Sequence, residues 1–238
     1  MGYHESLTEG RNAVLEAFRS GKTVDRLFVL DGCQDGPVKT ILREAKKQDT
    51  MVQYVKKERL DQLSETKNHQ GVIAYCAACE YAEVSDILEN AKKKGEAPFI
   101  VLLDGIEDPH NLGAIIRTAN QAGAHGVIIP KRRAVGLTAT VARTSAGAVN
   151  YTPVAKVTNL VTVMEDLKKE GMWFVCADMD GEEMYSLNLK GPIGLVIGNE
   201  GEGVSRLVKE HCDMVASIPM KGDIDSLNAS VAMGVLAY

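Results

Sequence analysis

Three polar segments rich in glycine and acidic residues each follow an apolar run in this 238-residue chain. They are residues 104–113 (DGIEDPHNLG), 198–203 (GNEGEG) and 219–228 (PMKGDIDSLN). The apolar runs before them have the length and composition of buried strands, and open α/β sheets bind ligands beyond the carboxyl ends of their strands. The candidate chemistry of the chain therefore lies in these three segments.

The glycines of residues 198–203 follow a predicted strand and precede a predicted helix, where glycine lets a ligand approach the backbone closely. Their order, G-x-x-G-x-G, is not the dinucleotide-binding order G-x-G-x-x-G, and the Lys-Ser/Thr ending of a phosphate loop is missing. Glu200 and Glu202 would repel a pyrophosphate. A neutral or cationic ligand such as S-adenosylmethionine fits better, although a tight turn that binds nothing explains the same glycines.

The first and third segments supply polar side chains beside predicted helices. Arg117 lies six residues after Asn111, and its guanidinium offers donors that suit a phosphate, although an ordinary surface arginine is the alternative. Ser226 precedes a helical run that we expect to begin at Leu227, so its predicted role is the N-cap. Asn228 is either solvated or part of a site at the end of the third strand.

Four of the basic residues in the second half of the chain, which is acidic in net charge, lie close together in the sequence. Lys131, Arg132 and Arg133 follow a predicted strand at 127–129, and Arg143 is close behind. We interpret them as candidate RNA-backbone contacts, with a solvated loop as the alternative. The net charge of −5 argues against a protein that binds nucleic acid through its overall charge.

Cysteine usage and the absence of long apolar segments predict a cytoplasmic protein. The five cysteines are odd in number and scattered, which is typical of reduced thiols. Cys76 and Cys79 have metal-ligand spacing, but no second cysteine or histidine pair accompanies them, so no metal is expected. The N-terminal sequence lacks the pattern of a signal peptide, and no apolar run reaches the roughly 20 residues of a membrane-spanning helix.

Strand and helix patterns alternate along the chain, which predicts an α/β fold whose larger sheet is mainly parallel, with helices on both faces. We expect a small α/β domain over residues 1–78, a linker over 79–97 and a larger domain over 98–238. The chain ends inside the mainly apolar run 229–238, and no Gly, Asn or Pro follows Gly234 to end a helix, so we expect the natural chain to continue.

Taken in order, the three segments resemble the motifs of the SpoU family of RNA ribose 2′-O-methyltransferases in the SPOUT superfamily. The matching stretches are residues 104–119 (DGIEDPHNLGAIIRTA), 193–205 (IGLVIGNEGEGVS) and 218–234 (IPMKGDIDSLNASVAMG). Residues 10–18 (GRNAVLEAF) resemble the start of the family's small RNA-binding domain, which has a ribosomal-protein-like α/β fold. The likeness is greatest to the branch that methylates a guanosine of large-subunit (23S) ribosomal RNA.

The resemblance implies a trefoil knot in the C-terminal domain, a homodimer formed through that domain, and S-adenosylmethionine bound in the knot. The implied cofactor positions are Gly198, Asn199, Gly203, Ile218, Met220 and Leu227. The implied catalytic positions are Asn111, Arg117, Glu200, Ser226 and Asn228. We expect Arg117 to anchor the target's phosphate or developing oxyanion, with Asn111, Glu200 and Asn228 fixing its orientation.

Three other functions compete with this interpretation. A sister branch of the family methylates a guanosine of the tRNA D-loop, although the small N-terminal domain favours ribosomal RNA. A non-catalytic RNA-binding protein would have no need of the polar positions, and an oxidoreductase is disfavoured by the glycine order. Residues 1–78 are only weakly basic, so we expect recognition of RNA by shape. Asp223 and Asp225 add negative charge to the third motif.

Overall fold

The computed structural model describes residues 6–33, 35–223 and 226–238. The chain forms two compact units. The first comprises the residues up to Glu80 together with Gly136–Ala139, and the second comprises Tyr81–Val135 and Thr140–Tyr238.

The first unit is a four-stranded mixed sheet covered by three helices. Its strands lie in the order β1-β4-β2-β3, with β2 and β3 parallel and the other pairs antiparallel. Its elements are β1 (Ser6–Glu9), α1 (Arg11–Arg19), β2 (Val24–Leu30), α2 (Gly36–Lys47), β3 (Met51–Val55), α3 (Lys57–Leu63) and β4 (Val72–Cys76). Phe18 and Ile41 pack with Leu27 in one core cluster, while Leu60 packs with Phe28 in another. Helices therefore cover both faces of this sheet.

The second unit is built on a six-stranded sheet in which every pair of neighbours is parallel, in the order β10-β8-β9-β5-β6-β7. Its strands are β5 (Phe99–Asp104), β6 (Gly126–Pro130), β7 (Val154–Val157), β8 (Trp173–Glu183), β9 (Ile193–Gly198) and β10 (Met214–Ser217). Its helices are α4 (Val84–Lys94), α5 (Pro109–Gln121), α6 (Ala139–Thr144), α7 (Leu160–Lys169), α8 (Arg206–Glu210) and α9 (Ala229–Ala237).

Continuous burial of the central strands explains why their sequences are almost wholly apolar. Leu102 of β5 packs in a cluster with Met164 of α7 and Val208 of α8. Successive side chains of a strand point to opposite faces, so the equally buried Leu103 points toward the other side of the sheet, where α9 contacts both α5 and β9. The predicted α/β fold with a mainly parallel sheet is confirmed, and the trefoil knot stays a prediction.

The segment 79–97, expected to be a linker, contains α4. The Ile87 side chain is fully buried in the core of the second unit, as is almost all of Ala91. A Cβ atom at Gly126 would lie 2.5 Å from Ile87 Cγ1, so a glycine in β6 makes room for this helix. Residues 81–97 are thus part of the second unit, and α4 packs onto its core.

No helix among the described residues is long and apolar enough to cross a membrane.

Candidate active site

The first and second predicted loops lie side by side at the carboxyl edge of the parallel sheet. β5 pairs with β9 so that Asp104 is opposite Gly198, and the loops that follow these residues are joined by hydrogen bonds. Asn199 Nδ2 donates to the Gly105 carbonyl at 2.8 Å, and the Ser205 N–H donates to the buried Asp104 carboxylate at 2.8 Å. The adjacent strands therefore bring together segments that are almost a hundred residues apart.

Residues 199–203 form a tight hairpin. The N–H groups of Asn199 and Gly203 each donate to the other residue's carbonyl, at 3.1 and 2.8 Å. A Cβ atom at Gly198 would lie 2.1 Å from the Gly203 carbonyl carbon, a distance no side chain tolerates. Gly203 also has a φ of 68°, which favours glycine. The glycines therefore do form a tight turn.

The turn is also one wall of a cavity of about 320 Å³. Cavities that hold small molecules are typically about 300–1,000 Å³ in volume. All six positions implied for the cofactor line this cavity, together with Glu200 and Ser226: Gly198, Asn199, Gly203, Ile218, Met220 and Leu227. The structure therefore brings these positions together around a space of suitable size.

Four carboxylates line the cavity, which gives it a preference for cations over anions. Two of them, Glu200 and Glu202, belong to the glycine turn, and two, Asp178 and Asp180, belong to β8. Residues 177–180 are outside the three segments singled out in the sequence, although they directly follow the apolar run 173–176, which was the signal that could have found them. In the structure they lie within β8.

Asn111, Glu200 and Asn228 form a hydrogen-bonded network. Glu200 Oε1 accepts from Asn111 Nδ2 at 2.9 Å and from Asn228 Nδ2, and Asn228 Nδ2 also lies 2.9 Å from Asn111 Oδ1. The N–H of Ala229 donates to the same Glu200 oxygen at 3.3 Å. The network thus joins one side chain from each of the three motifs, and the Glu200 carboxylate lies at its centre.

Asn228 is also the N-cap of α9. Its Oδ1 accepts from the backbone N–H groups of Ser230 at 3.0 Å and Val231 at 3.3 Å. The expectation that Ser226 caps a helix beginning at Leu227 is therefore wrong, because the helix begins at Ala229 and an asparagine amide satisfies its free N–H groups. Ser226 lies on the cavity wall instead.

Arg117 is exposed on α5 and is not part of this network. Six positions along a helix turn a side chain by about 240°, so Arg117 and Asn111 point to different sides of α5. Within the described ranges, the Arg117 side chain makes no hydrogen bond or ion pair. The three polar side chains bond to one another and do not orient Arg117, contrary to expectation.

The basic residues after β6 lie at the same edge of the sheet. Arg133 lines a second cavity, of about 320 Å³, with Glu107 and Glu202 among its other lining residues. Arg132 and Arg143 are exposed, Lys131 is partly buried, and Arg143 donates to Thr140 Oγ1 at 3.3 Å. Asp223 is exposed, and Asp225 lies outside the described residues.

Two family models match the chain. The model of the SpoU rRNA Methylase family matches residues 98–238, and a model described as RNA 2′-O ribose methyltransferase substrate binding matches residues 7–82. The chain belongs to the SpoU rRNA methylase family. The prediction of an RNA methyltransferase from this family is confirmed.

Individual relatives agree with this assignment. The chain is 49% identical over 231 residues to the "Putative TrmH family tRNA/rRNA methyltransferase YacO" of Bacillus subtilis, covering 96% of this chain and 92% of that protein. It resembles the crystal structure of the SpoU methyltransferase AviRb from Streptomyces viridochromogenes in complex with AdoMet, with a TM-score of 0.61 and 26% identity over 98% of this chain and 88% of that one. The AdoMet-bound rRNA methyltransferase from Sinorhizobium meliloti gives a TM-score of 0.60 and 25% identity, covering 97% and 84%.

In this SpoU family member, the matches assign different tasks to the two units. The substrate-binding model covers the first unit, whereas the cavity and the Asn111–Glu200–Asn228 network belong to the second, which the methylase model covers. No group of three or more His, Cys, Asp or Glu side chains able to hold a metal ion occurs in the part of the chain that the structure describes.

Proposed function

We propose that this protein transfers a methyl group from S-adenosylmethionine to the ribose 2′-hydroxyl of a guanosine in large-subunit (23S) ribosomal RNA. One observation carries the proposal: Glu200 belongs both to the cavity lining and to the hydrogen-bonded network of Asn111 and Asn228. A cofactor in the cavity would therefore lie beside a fixed set of polar groups. Methyl transfer to a hydroxyl needs this proximity of donor and acceptor.

The cavity suits S-adenosylmethionine in size, charge and backbone shape. Its carboxylates complement the positive charges of the cofactor's sulfonium and ammonium groups. Because Gly198 has no side chain, the glycine turn packs directly against the end of the strand. The AviRb and Sinorhizobium meliloti structures were both solved with AdoMet bound. When bound, the cofactor supplies an electrophilic methyl group.

Within the network, the second carboxylate oxygen of Glu200 is available to substrate. Oε1 accepts all of the hydrogen bonds that the described residues give to Glu200, and Oε2 accepts none. Oε2 therefore accepts the hydrogen bond of the ribose hydroxyl, while Asn111 and Asn228 hold the carboxylate in place. A preorganised acceptor needs little rearrangement during the reaction.

Cationic side chains hold the RNA backbone. The exposed Arg117 has a forked guanidinium that matches a phosphate, and Lys131, Arg132, Arg133 and Arg143 add positive charge to the acidic second unit. Phosphate contacts fix the position of an RNA, whereas folded loops are selected by shape. The weakly basic first unit supplies the shape recognition.

The protein acts as a homodimer formed through α9. Apart from Ser230 this helix is apolar on all sides, yet the described residues cover only one side of it, by contacts that bury Met233 and Leu236. Val231 and Val235 remain 50% and 38% exposed, and Tyr238 is exposed beyond them. A helix that is apolar all round is normally buried, so a second copy covers this side.

We place the enzyme in the cytoplasm, where its RNA substrate is made.

A labelling experiment tests the proposal. The protein is incubated with methyl-labelled S-adenosylmethionine and total RNA that lacks the modification, and large-subunit rRNA and tRNA are then separated and digested to nucleosides. We expect label in 2′-O-methylguanosine from large-subunit rRNA, and none with a Glu200→Ala variant. Label in tRNA alone would show that the substrate is tRNA. A tRNA substrate is the second candidate, because the name of the Bacillus subtilis relative includes both tRNA and rRNA.

A further inference from the structure

One wall of the cofactor cavity is a bulge in β8. β10 pairs in parallel with β8 until Val215 lies opposite Cys176, and the next residue of β10, Ala216, lies opposite Glu182. The intervening residues 177–181 have no partner in β10 and leave the regular sheet. Ala177, Asp178, Met179 and Asp180 all line the cavity, so the bulge shapes the space.

The far end of the bulge is locked against β10. A Cβ atom at Gly181 would lie 2.5 Å from the Val215 carbonyl oxygen, so the two backbones are in contact. The Gly181 carbonyl also accepts a hydrogen bond from Ser217 Oγ at 3.0 Å. This end is therefore fixed by the strand beside it.

The near end is held by an ion pair with a different element. Lys209 Nζ of α8 lies 2.7 Å from Asp178 Oδ2, and Asp178 Oδ1 accepts from the N–H of Asp180 at 3.1 Å. The two paired side chains are only 30% and 18% exposed. Because α8 follows the glycine turn almost directly, the pair links the bulge to the second wall of the cavity.

Both partners stay charged near neutral pH. Partial burial tends to raise the pKa of Asp178, but the hydrogen bonds from Lys209 and from the backbone N–H groups of Asp180 and Met179 outweigh it, and the pKa lies below its ordinary value. The hydrogen bond to Asp178 in turn raises the pKa of Lys209. The link is therefore an ion pair near neutral pH.

We propose that Lys209 is a positioning residue for the cofactor, which fixes the Asp178 bulge against the glycine turn and so sets the shape of the cavity. The inference rests on the proposed function, in which this cavity binds S-adenosylmethionine. Lys209 does not line the cavity, and neither member of the pair joins the Asn111–Glu200–Asn228 network. Loss of the pair should therefore weaken cofactor binding and leave the chemistry of the bound complex intact.

The test compares two lysines in similar surroundings. Lys168 Nζ pairs with Asp213 at 3.0 Å, with side chains 27% and 23% exposed, in the same unit but away from the cavity. Lys209→Met and Lys168→Met remove one partner of each pair, and Lys209→Arg keeps the charge. Binding of S-adenosylmethionine is measured by calorimetry, and kcat, KM and Tm are measured for each variant.

We expect Lys209→Met to raise the Kd and KM for S-adenosylmethionine about tenfold, a difference that calorimetry resolves easily. The kcat at saturating cofactor and the KM for RNA should stay near wild-type values, and Lys209→Arg should restore most of the affinity. Lys168→Met should leave the cofactor Kd unchanged. The inference would be overturned if wild type and Lys209→Met had the same cofactor affinity. It would also be overturned if Lys209→Met and Lys168→Met lost the same amount of cofactor affinity. A wild-type chain that does not bind the cofactor at all would instead refute the proposed function.

Discussion

Replacement of Asn111 by aspartate should turn an attraction in the site into a repulsion. The amide Nδ2 of Asn111 donates to Glu200 Oε1 at 2.9 Å, and aspartate has nearly the same shape with a carboxylate oxygen in that place. The variant therefore changes the charge of the network with little change in its packing. The helix α5 and its N-cap at Asp108 are left as they are.

The distance sets the size of the effect. Two unit charges 2.9 Å apart repel by about 1.4 kcal/mol in bulk water and by about 6 kcal/mol at an effective dielectric constant of 20. Glu200 is exposed, so the smaller value is the better guide. Since about 1.4 kcal/mol corresponds to a factor of ten in rate, we expect kcat for Asn111→Asp to fall at least tenfold below that of Asn111→Ala. The alanine variant loses the hydrogen bond without adding a charge.

Single-turnover methylation of RNA at saturating S-adenosylmethionine is the assay. High salt should narrow the difference in kcat between the two variants, because salt screens the repulsion between the two carboxylates. An aspartate variant as active as the alanine variant, or a difference that does not change with salt, would refute the role assigned to the network.

Further predictions concern the cavity, the RNA contacts and the dimer. Gly198→Ala should weaken S-adenosylmethionine binding at least tenfold and cost about 1–3 kcal/mol of stability, because its Cβ overlaps the glycine turn, whereas Gly222→Ala, whose Cβ would have no atom of the described residues within 4 Å, should change neither. Arg117→Lys should lower kcat more than tenfold because lysine cannot form a forked contact; near-normal turnover would exclude a forked anchor. Arg133→Gln should reduce the slope of log K against log salt for RNA binding by about 0.7–0.9 with no change in cofactor Kd, and an unchanged slope would remove Arg133 from the interface. Val235→Glu should shift the protein from dimer to monomer in sedimentation experiments, and a wild-type monomer would contradict the proposed dimer.

The parallel sheet could be predicted because burial on both faces leaves a strong signal in the sequence. The runs at Phe99–Leu103 and Ile193–Ile197 are continuous and apolar, and both are central strands. The sequence does not predict β7, because its four residues include Lys156 and follow a proline, so they do not form an apolar run. The apolar pattern of β7 is weak because β7 lies at the edge of the sheet. An edge strand has one hydrogen-bonding neighbour and needs less apolar surface than a central strand.

The positions of the site residues could be inferred from strand ends, but their contacts could not. Nothing in the spacing shows that Asn228 would reach Asn111 across 117 residues, because that contact depends on which strands are neighbours. Ser226 and Asn228 are both good N-cap residues, so propensity alone could not choose between them. Nothing in the sequence marks residues 177–181 as a bulge within a strand, because Asp178 and Asp180 are polar, and only the pairing with β10 shows where the strand resumes.

The double use of Asn228 couples the folding of α9 to the assembly of the site. The same amide that caps α9 also completes the network around Glu200. Local unfolding of the first turn of α9 would therefore release one of the hydrogen bonds that fix the Glu200 carboxylate. The polar network is complete only while this helix is folded.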